Sequence, residues 1–137
     1  MCGRYTLHSQ LDFLKDHFGA KVGDDGLWDW KPNYNISPGT VVPVIARDGR
    51  RERKIVPMRW GLHPHWKKEP PEGRPMFNAR VETAAEKPSF RTPYRRRRAL
   101  IPANGWFEWE GIEKPKTPYF IKDKAHGLTA FAGLWDQ

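Results

Sequence analysis

Residues 41–61, VVPVIARDGRRERKIVPMRWG, carry the clearest structural signal in the chain. Two apolar runs flank a polar stretch that begins with Asp48 and Gly49. An Asp-Gly pair between such runs is typical of a tight β-hairpin turn. We therefore predict two antiparallel strands joined at this turn.

Further short strands are predicted on the C-terminal side of this hairpin. They lie in MFNARVE (76–82), RALIPA (98–103), WFEWE (106–110), PYFIK (118–122) and LTAFAGLW (128–135). The thirteen prolines argue against long helices and regular central strands. The predicted fold class is α+β, with mainly antiparallel strands curled into a barrel-like core and a few short helices.

One helix is predicted in SQLDFLKDHFG (9–19). Ser9 is expected to cap it, Asp12 completes a capping-box pattern, and Gly19 ends it. Two segments are predicted to be loops, NYNISPGT (33–40) and PHWKKEPPEGRP (64–75). Since no linker or repeat divides the sequence, we expect a single domain over residues 1–137.

Composition narrows the class of protein. The 137 residues are 38% hydrophobic, and no apolar run approaches the roughly 18–20 residues of a membrane span, so we expect a soluble, unsecreted protein. Cys2 is the one cysteine, which excludes an intramolecular disulfide and is typical of a reducing compartment. It also argues against a structural zinc site, so we expect no metal and no cofactor.

The net charge of +8 is unevenly distributed. Residues 47–98 hold sixteen basic and six acidic side chains, whereas residues 1–30 hold three basic and five acidic ones. Basic residues interspersed with aromatic residues are typical of proteins that bind single-stranded nucleic acid. The alternative is a solvated basic surface, with YRRRR (94–98) as a charged edge leading into a strand.

Two of the predicted strands contain candidate site residues. Alternation in MFNARVE places Asn78 and Arg80 on one face of a strand. Glu108 lies between tryptophans in GWFEWEG, where burial can raise the pKa of a carboxylate for acid–base catalysis. The residues alone favour the alternative, a half-buried strand with an exposed glutamate.

Cys2 gains a second reactive group if Met1 is removed, which is common before a small residue. Its α-amine then lies beside its thiol, with ordinary pKa values of about 7.7–8.0 and about 8.5. Such an aminothiol condenses with an aldehyde, first as a Schiff base and then as a five-membered thiazolidine. The position of Cys2 alone favours the alternative of an ordinary small residue.

Six blocks in order resemble the SRAP family, the SOS-response-associated proteins that form covalent links to abasic sites in single-stranded DNA. They are MCGRYTL, YNISPGT, MRWGLHPHW, NARVET, RALIPANGWFEW and PYFI. The resemblance extends over nearly the whole chain. It implies an SRAP-like fold and an abasic-site sensor that forms a thiazolidine crosslink after removal of Met1, with peptidase-type processing and a conceivable lyase activity.

The resemblance also implies roles for individual residues. Cys2 matches the cysteine that attacks the abasic aldehyde, Asn78 an active-site asparagine and Glu108 the catalytic glutamate. The matches for DNA contacts and for the pocket loop are Arg4, Asn35, Pro38, Trp66 and Arg80. Lys67 stands where the family often has a second aromatic residue.

One family feature is missing from this sequence. The catalytic histidine of the family lies in a C-terminal H-x-R-M-P-like block, and none of the five histidines has that context. We therefore expect the chain to lack the C-terminal part of the family domain. His63 and His65 are predicted to be surface residues and not substitutes.

The expected partner is single-stranded DNA with abasic sites, bound by a monomer with no membrane or metal involved. The expected location is the cytoplasm, at the nucleoid, in a bacterium, or the nucleus in a eukaryote. Two other hypotheses remain open. One is a non-covalent binder of single-stranded DNA, and the other is a cysteine peptidase that uses Cys2 and Glu108 on other proteins.

Overall fold

The computed structural model describes residues 2–23, 29–67, 76–112 and 114–137. Met1 and most of the predicted loop 64–75 lie outside the described residues. The described strands are β1 (Arg4–Leu7), β2 (Lys21–Val22), β3 (Asn33–Ile36), β4 (Val41–Arg47), β5 (Arg53–Arg59), β6 (Arg98–Ala103), β7 (Gly105–Glu110), β8 (Thr117–Ile121) and β9 (Thr129–Leu134). The described helices are α1 (Leu11–Phe18), α2 (Val81–Ala84) and α3 (Pro88–Arg96).

The predicted hairpin is confirmed, since β4 and β5 pair antiparallel along their full seven-residue length. Its turn is longer than an Asp-Gly pair. The carboxylate of Asp48 accepts backbone N–H hydrogen bonds from Arg50 and Glu52 at 2.9 and 3.0 Å. Arg51 adopts the left-handed conformation, with a φ of 63°. The turn therefore depends on the Asp48 side chain as much as on glycine.

The strands form two sheets among the described residues. One has the order β3-β1-β7-β8, and the other has the order β2-β5-β4-β6-β9. Residues 42–46 of β4 are all buried, because β4 is a central strand between β5 and β6 and both of its faces are covered. The main core combines β1, α1, β4 and β5, with Tyr5, Leu7, Leu14, Val44 and Ile55 almost fully enclosed.

The α+β class with mainly antiparallel strands is confirmed, and the barrel is not. The described sheets remain separate, with β3 and β8 as the outer strands of one and β2 and β9 as those of the other. Closing a barrel requires every strand to pair on both sides. Here the outer strand β2 has only two residues and pairs parallel to β5.

The predicted helix is confirmed, but its N-cap is not Ser9. Helix α1 begins after Gln10, whose side chain makes no capping hydrogen bond, and ends at Gly19 in the left-handed conformation. The Ser9 hydroxyl instead hydrogen-bonds to Asn104, at 3.2 Å from its Oδ1. A contact that is distant in sequence therefore replaces the local capping box.

The strand predicted in MFNARVE is wrong. Met76 makes one isolated bridge with Leu62, residues 77–80 have no regular structure, and α2 begins at Val81. The alternation therefore does not put Asn78 and Arg80 on one strand face. Asn78 is half-buried, whereas Arg80 is exposed.

Two further elements differ from the prediction. Residues 33–36 of the predicted loop form β3, which pairs with β1. Helix α3 was not predicted, because it contains prolines. Pro88 stands in its first turn, where a missing N–H costs nothing, and Pro93 is tolerated within a helix whose buried face includes Phe90.

Asn104 links the two sheets. It lies between β6 and β7 and is 7% exposed. Its Oδ1 accepts from the backbone N–H of His8 at 2.8 Å and of Ser9 at 3.2 Å. Its Nδ2 donates to the carbonyl of Gly127 at 2.8 Å. One amide thus joins the end of β1, the start of α1 and the approach to β9.

We expect Asn104→Ala to lower the free energy of unfolding by about 2–3 kcal/mol, because it removes several part-buried hydrogen bonds to the backbone. Ser9→Ala removes one hydroxyl partner of Asn104 and should cost about 1 kcal/mol or less. Urea unfolding of the two variants measures both values. Equal losses would contradict the linking role of Asn104.

Candidate functional site

A cavity of about 560 Å³ opens beside the N-terminus. Its walls come from β1, β4, β5, β6 and β9, from residues 60–63 and 76–79, and from residues 135–137. Cys2 and Asn78 line it together with the aromatic rings of Trp60 and Phe131. An apolar cavity with a few polar groups is the usual form of a ligand site.

Cys2 is half-buried at the edge of this cavity, and its backbone carbonyl is held by Asn78. The Asn78 Nδ2 donates to that carbonyl oxygen at 2.8 Å. The thiol donates to the carbonyl of Arg4 at 3.3 Å. Both hydrogen bonds restrict Cys2 just before β1, so its thiol has a defined position.

Asn78 is placed by the segment that follows β5. The indole N–H of Trp60 donates to the carbonyl of Phe77 at 2.8 Å, and the N–H of Leu62 donates to the carbonyl of Met76 at 2.8 Å. These bonds anchor residues 76 and 77 against the end of the hairpin. The irregular backbone thereby directs Asn78 to Cys2.

Glu108 approaches Cys2 through the pairing of β1 with β7. Arg4 stands opposite Phe107 in this antiparallel ladder. Glu108, the next residue of β7, is therefore level with the residue that precedes Arg4, close to Cys2. Burial raises the pKa of the Cys2 thiol, and the carboxylate of Glu108 raises it further. The negative charge of Glu108 is therefore close enough to oppose ionisation of the thiol.

Arg4 and Asn35 are brought together as well. A guanidinium nitrogen of Arg4 donates to the Asn35 Oδ1 at 2.8 Å across the β1–β3 pair. Pro38 lies in the turn after β3, where the N–H of Gly39 donates to the carbonyl of Trp60 at 2.7 Å. The turn is thus fixed beside the residue that also anchors Phe77.

Of the predicted site residues, only Cys2 and Asn78 line the cavity. Trp66 is 53% exposed, and the ammonium of Lys67 is 5.5 Å from its ring centroid. Arg80 is exposed just before α2. None of these three lines the cavity with Cys2. The structure therefore joins Asn78 to Cys2 by a hydrogen bond and places the charge of Glu108 near enough to act on the thiol, and it leaves Trp66, Lys67 and Arg80 at the surface.

Tyr5 lines the cavity, although no sequence motif singled it out. It is 2% exposed, and its hydroxyl makes no hydrogen bond with the described residues. Its ring packs edge-on against Trp60 and Phe131, with centroids 5.3 and 5.8 Å apart. Burial raises its pKa, so the hydroxyl stays protonated and can donate.

The prediction that His63 and His65 are surface residues is only partly right. His63 is half-buried and lines the cavity. His65 is exposed, and its Nδ1 lies 3.0 Å from the buried carboxylate of Asp136, which also pairs with Arg97. Burial acts to raise the pKa of Asp136, but the hydrogen bonds from His65 outweigh it and the pKa is lowered. Asp136 was missed because 71 residues separate it from His65.

The described residues contain no group of three or more His, Cys, Asp or Glu side chains arranged to hold a metal ion. None of the helices in the described ranges is long and apolar enough to cross a membrane.

Comparison with known proteins gives consistent results. The family profile described as SOS response associated peptidase (SRAP) matches residues 1–137. The abasic site processing protein YoqW of Bacillus subtilis is 41% identical over 100% of this chain and 61% of its own length. The abasic site processing protein YedK of Escherichia coli is 36% identical over 88% of this chain and 53% of its own length. The chain thus spans about three fifths of the length of YoqW.

The fold of this chain is similar to that of several solved structures. A protein from Bacteroides thetaiotaomicron superposes with a TM-score of 0.82 at 23% identity, over 98% of this chain and 61% of its own. A phage-related protein from Bordetella bronchiseptica gives a TM-score of 0.71 at 28% identity, over 97% of this chain and 60% of its own.

We expect Glu108→Gln to lower the pKa of the Cys2 thiol, because it removes a negative charge that opposes ionisation. The rate of iodoacetamide alkylation, followed from neutral to alkaline pH, should rise at lower pH in the variant than in the wild type. Glu110→Gln is the matched control, since Glu110 is exposed on the same strand. An identical shift in both variants would refute a specific coupling to Cys2.

Proposed function

This chain belongs to the SOS response associated peptidase (SRAP) family, and on that premise we propose that it captures abasic sites in single-stranded DNA through a covalent thiazolidine bond to Cys2. The observation that carries the proposal is the hydrogen bond from Asn78 to the Cys2 carbonyl at the cavity. The nearby carboxylate of Glu108 raises the pKa of the Cys2 thiol. Relatives named as abasic site processing proteins support DNA as the substrate.

The proposal requires removal of Met1, a peptidase-type step that frees the α-amine of Cys2. That amine attacks the C1′ aldehyde of the ring-opened abasic deoxyribose. Loss of one water from the adduct gives a Schiff base. The sulfur then adds to the same carbon, the thiol proton moves to the nitrogen, and the five-membered ring closes. The net change is one water released, with no oxidant and no cofactor.

Two residues assist this sequence of steps. Asn78 holds the backbone of Cys2, so that the amine and the thiol approach one carbon from fixed directions. Glu108, as a carboxylate, accepts a proton from the attacking amine and donates it to the departing hydroxyl; it then accepts the thiol proton and passes it to nitrogen. The raised pKa of the thiol makes such a proton acceptor necessary at neutral pH.

DNA contacts are proposed for Arg4, Asn35 and Pro38 beside the site, and for Trp66, Lys67 and Arg80 at the surface. Guanidinium and ammonium groups bind phosphates without reading sequence. An exposed tryptophan stacks on any base and contributes about 1–3 kcal/mol per base. A sequence-tolerant surface of this kind suits a lesion that has no base to recognise.

The proposal includes several coarser expectations. The chain is the greater part of one SRAP domain, the protein acts as a monomer, and it works where genomic DNA lies, at the nucleoid or in the nucleus. Strand cleavage through the Schiff base is a conceivable lyase activity of the same site. A cysteine peptidase acting on other proteins would require turnover of unrelated peptides, and we expect none.

Intact mass spectrometry after incubation with an abasic single-stranded oligonucleotide tests the proposal directly. For a chain without Met1, we expect a new species equal to protein plus DNA minus one water, which survives denaturation. Cys2→Ser should form no such adduct but should still bind the DNA, because the serine lacks the sulfur that closes the ring. Absence of the adduct in a folded wild-type chain without Met1 would overturn covalent capture.

We expect Asn78→Ala to slow adduct formation by about 10- to 100-fold, since a loosely held Cys2 reaches the aldehyde less often in the right geometry. Non-covalent affinity for undamaged DNA should change less than about threefold, which is under 1 kcal/mol. The rate comes from quenched time points and the affinity from fluorescence anisotropy. Equal losses in both would instead indicate that Asn78 serves only in binding.

A further inference from the structure

Two arginine-rich stretches that are distant in sequence meet at a second cavity. RDGRRERK (47–54) and RTPYRRRR (91–98) both contribute to the walls of a cleft of about 550 Å³. The arginines that line this cleft are Arg47, Arg51, Arg53, Arg95, Arg96 and Arg98. We refer to it as the arginine cleft. The site around Cys2 uses none of these residues.

Strand register places three of these arginines in a row. Arg47 on β4 stands directly opposite Arg53 on β5. On the other side of β4, Ala46 pairs with Ala99 of β6, so the next step of that antiparallel register brings Arg47 beside Arg98. Neighbouring strands are about 4.8 Å apart. Like charges directly opposite each other destabilise a sheet, so this row has an energetic cost.

The described lining of the arginine cleft supplies no carboxylate to offset that cost, since none of its residues is Asp or Glu. The acidic residues of the adjoining turn are already engaged, Asp48 with Lys54 at 3.4 Å and Glu52 with Lys21 at 3.0 Å. The contrast within RRRR is informative, because Arg97 pairs with the buried Asp136 and does not line the cleft.

The shape of the cleft favours a polyanion over a single phosphate. Its arginines extend across three strands, a turn and the end of α3, farther than one phosphate group can reach. Ala99 and Trp135 line both this cleft and the cavity of Cys2, and the two open on opposite faces of the sheet. A strand held at Cys2 can reach the arginine cleft round the edge of the sheet, where Trp135 follows the outer strand β9.

We propose that the arginine cleft binds the phosphodiester backbone of single-stranded DNA that flanks the captured lesion. The identity of this partner as DNA rests on the proposed function. The bound phosphates supply the negative charge that the row of arginines lacks. The protein thus holds the strand in two places, covalently at Cys2 and electrostatically in the cleft.

Binding of undamaged oligonucleotides tests this inference without any covalent step. Fluorescence anisotropy measures the affinity of the full chain for single strands of about 6 and about 20 nucleotides. The shorter strand can occupy only the Cys2 cavity or the arginine cleft, and not both. We expect the wild type to bind the longer strand at least about tenfold more tightly. The variant Arg47→Gln/Arg96→Gln should lose most of that advantage. Its dependence of log K on log salt should be shallower by about 0.7 for each phosphate that the variant no longer binds.

The matched control is Arg50→Gln/Arg91→Gln. It removes the same charge from the same hairpin and helix at exposed positions that do not line the cleft. Its affinity should fall less than about threefold. The melting temperature of the cleft variant should be unchanged or higher, because Arg47→Gln relieves repulsion between strands. That measurement separates weaker binding from unfolding.

Equal losses in the two double variants would overturn the inference, because they would show a dependence on net charge alone. The inference would also be overturned if the wild type bound the long and the short strand equally well. The same holds if a short anion such as tripolyphosphate displaced both strands equally, whatever their length. If the tighter binding of the longer strand is lost in the cleft variant, but abasic DNA forms no adduct with the wild type, covalent capture fails. The arginine cleft then stands as a non-covalent binding site.

Discussion

The buried side chain of Asn104 sets the relation between the two sheets. The chain passes from β6 in one sheet to β7 in the other at this residue, and its amide also holds the end of β1 and the approach to β9. Because buried polar groups must be paired, these segments cannot move independently. The position of β7 against β1 then follows, and that pairing brings Glu108 towards Cys2. The candidate site thus depends on an asparagine that does not line its cavity.

The cavity and the arginine cleft show how one sheet can serve two kinds of chemistry. On the Cys2 side, aromatic rings and aliphatic side chains line the cavity, and burial raises the pKa of the thiol, with the Glu108 charge adding to it. On the other side, six arginines line the cleft and concentrate positive charge there. Trp135 lies at the boundary and is packed under the Arg97 guanidinium at 5.6 Å. The same β4–β6 region therefore borders both the cavity of Cys2 and the arginine cleft.

Local patterns predicted much of this fold, and contacts between distant residues explain what they missed. The hairpin at 41–61 and the strands around Glu108 have strong local signals, and the structure contains them. MFNARVE alternates like a strand but is held irregular by Trp60 and Leu62. Cys2, Asn78 and Glu108 could be named as candidate site residues because each lies in a sequence block that resembles the SRAP family. Tyr5 and Asp136 were not, since their importance arises from what surrounds them.

β1 is a central strand that pairs with β3 on one side and with β7, about a hundred residues later, on the other. Contacts of such high sequence separation form late, because a long loop must close first. On the ribosome, the thiol of Cys2 emerges with the first residues, but Glu108 reaches it only after most of the described chain has been made. A nascent chain therefore carries the Cys2 thiol before Glu108 can act on it. The raised pKa of the Cys2 thiol is therefore a property of the completed fold.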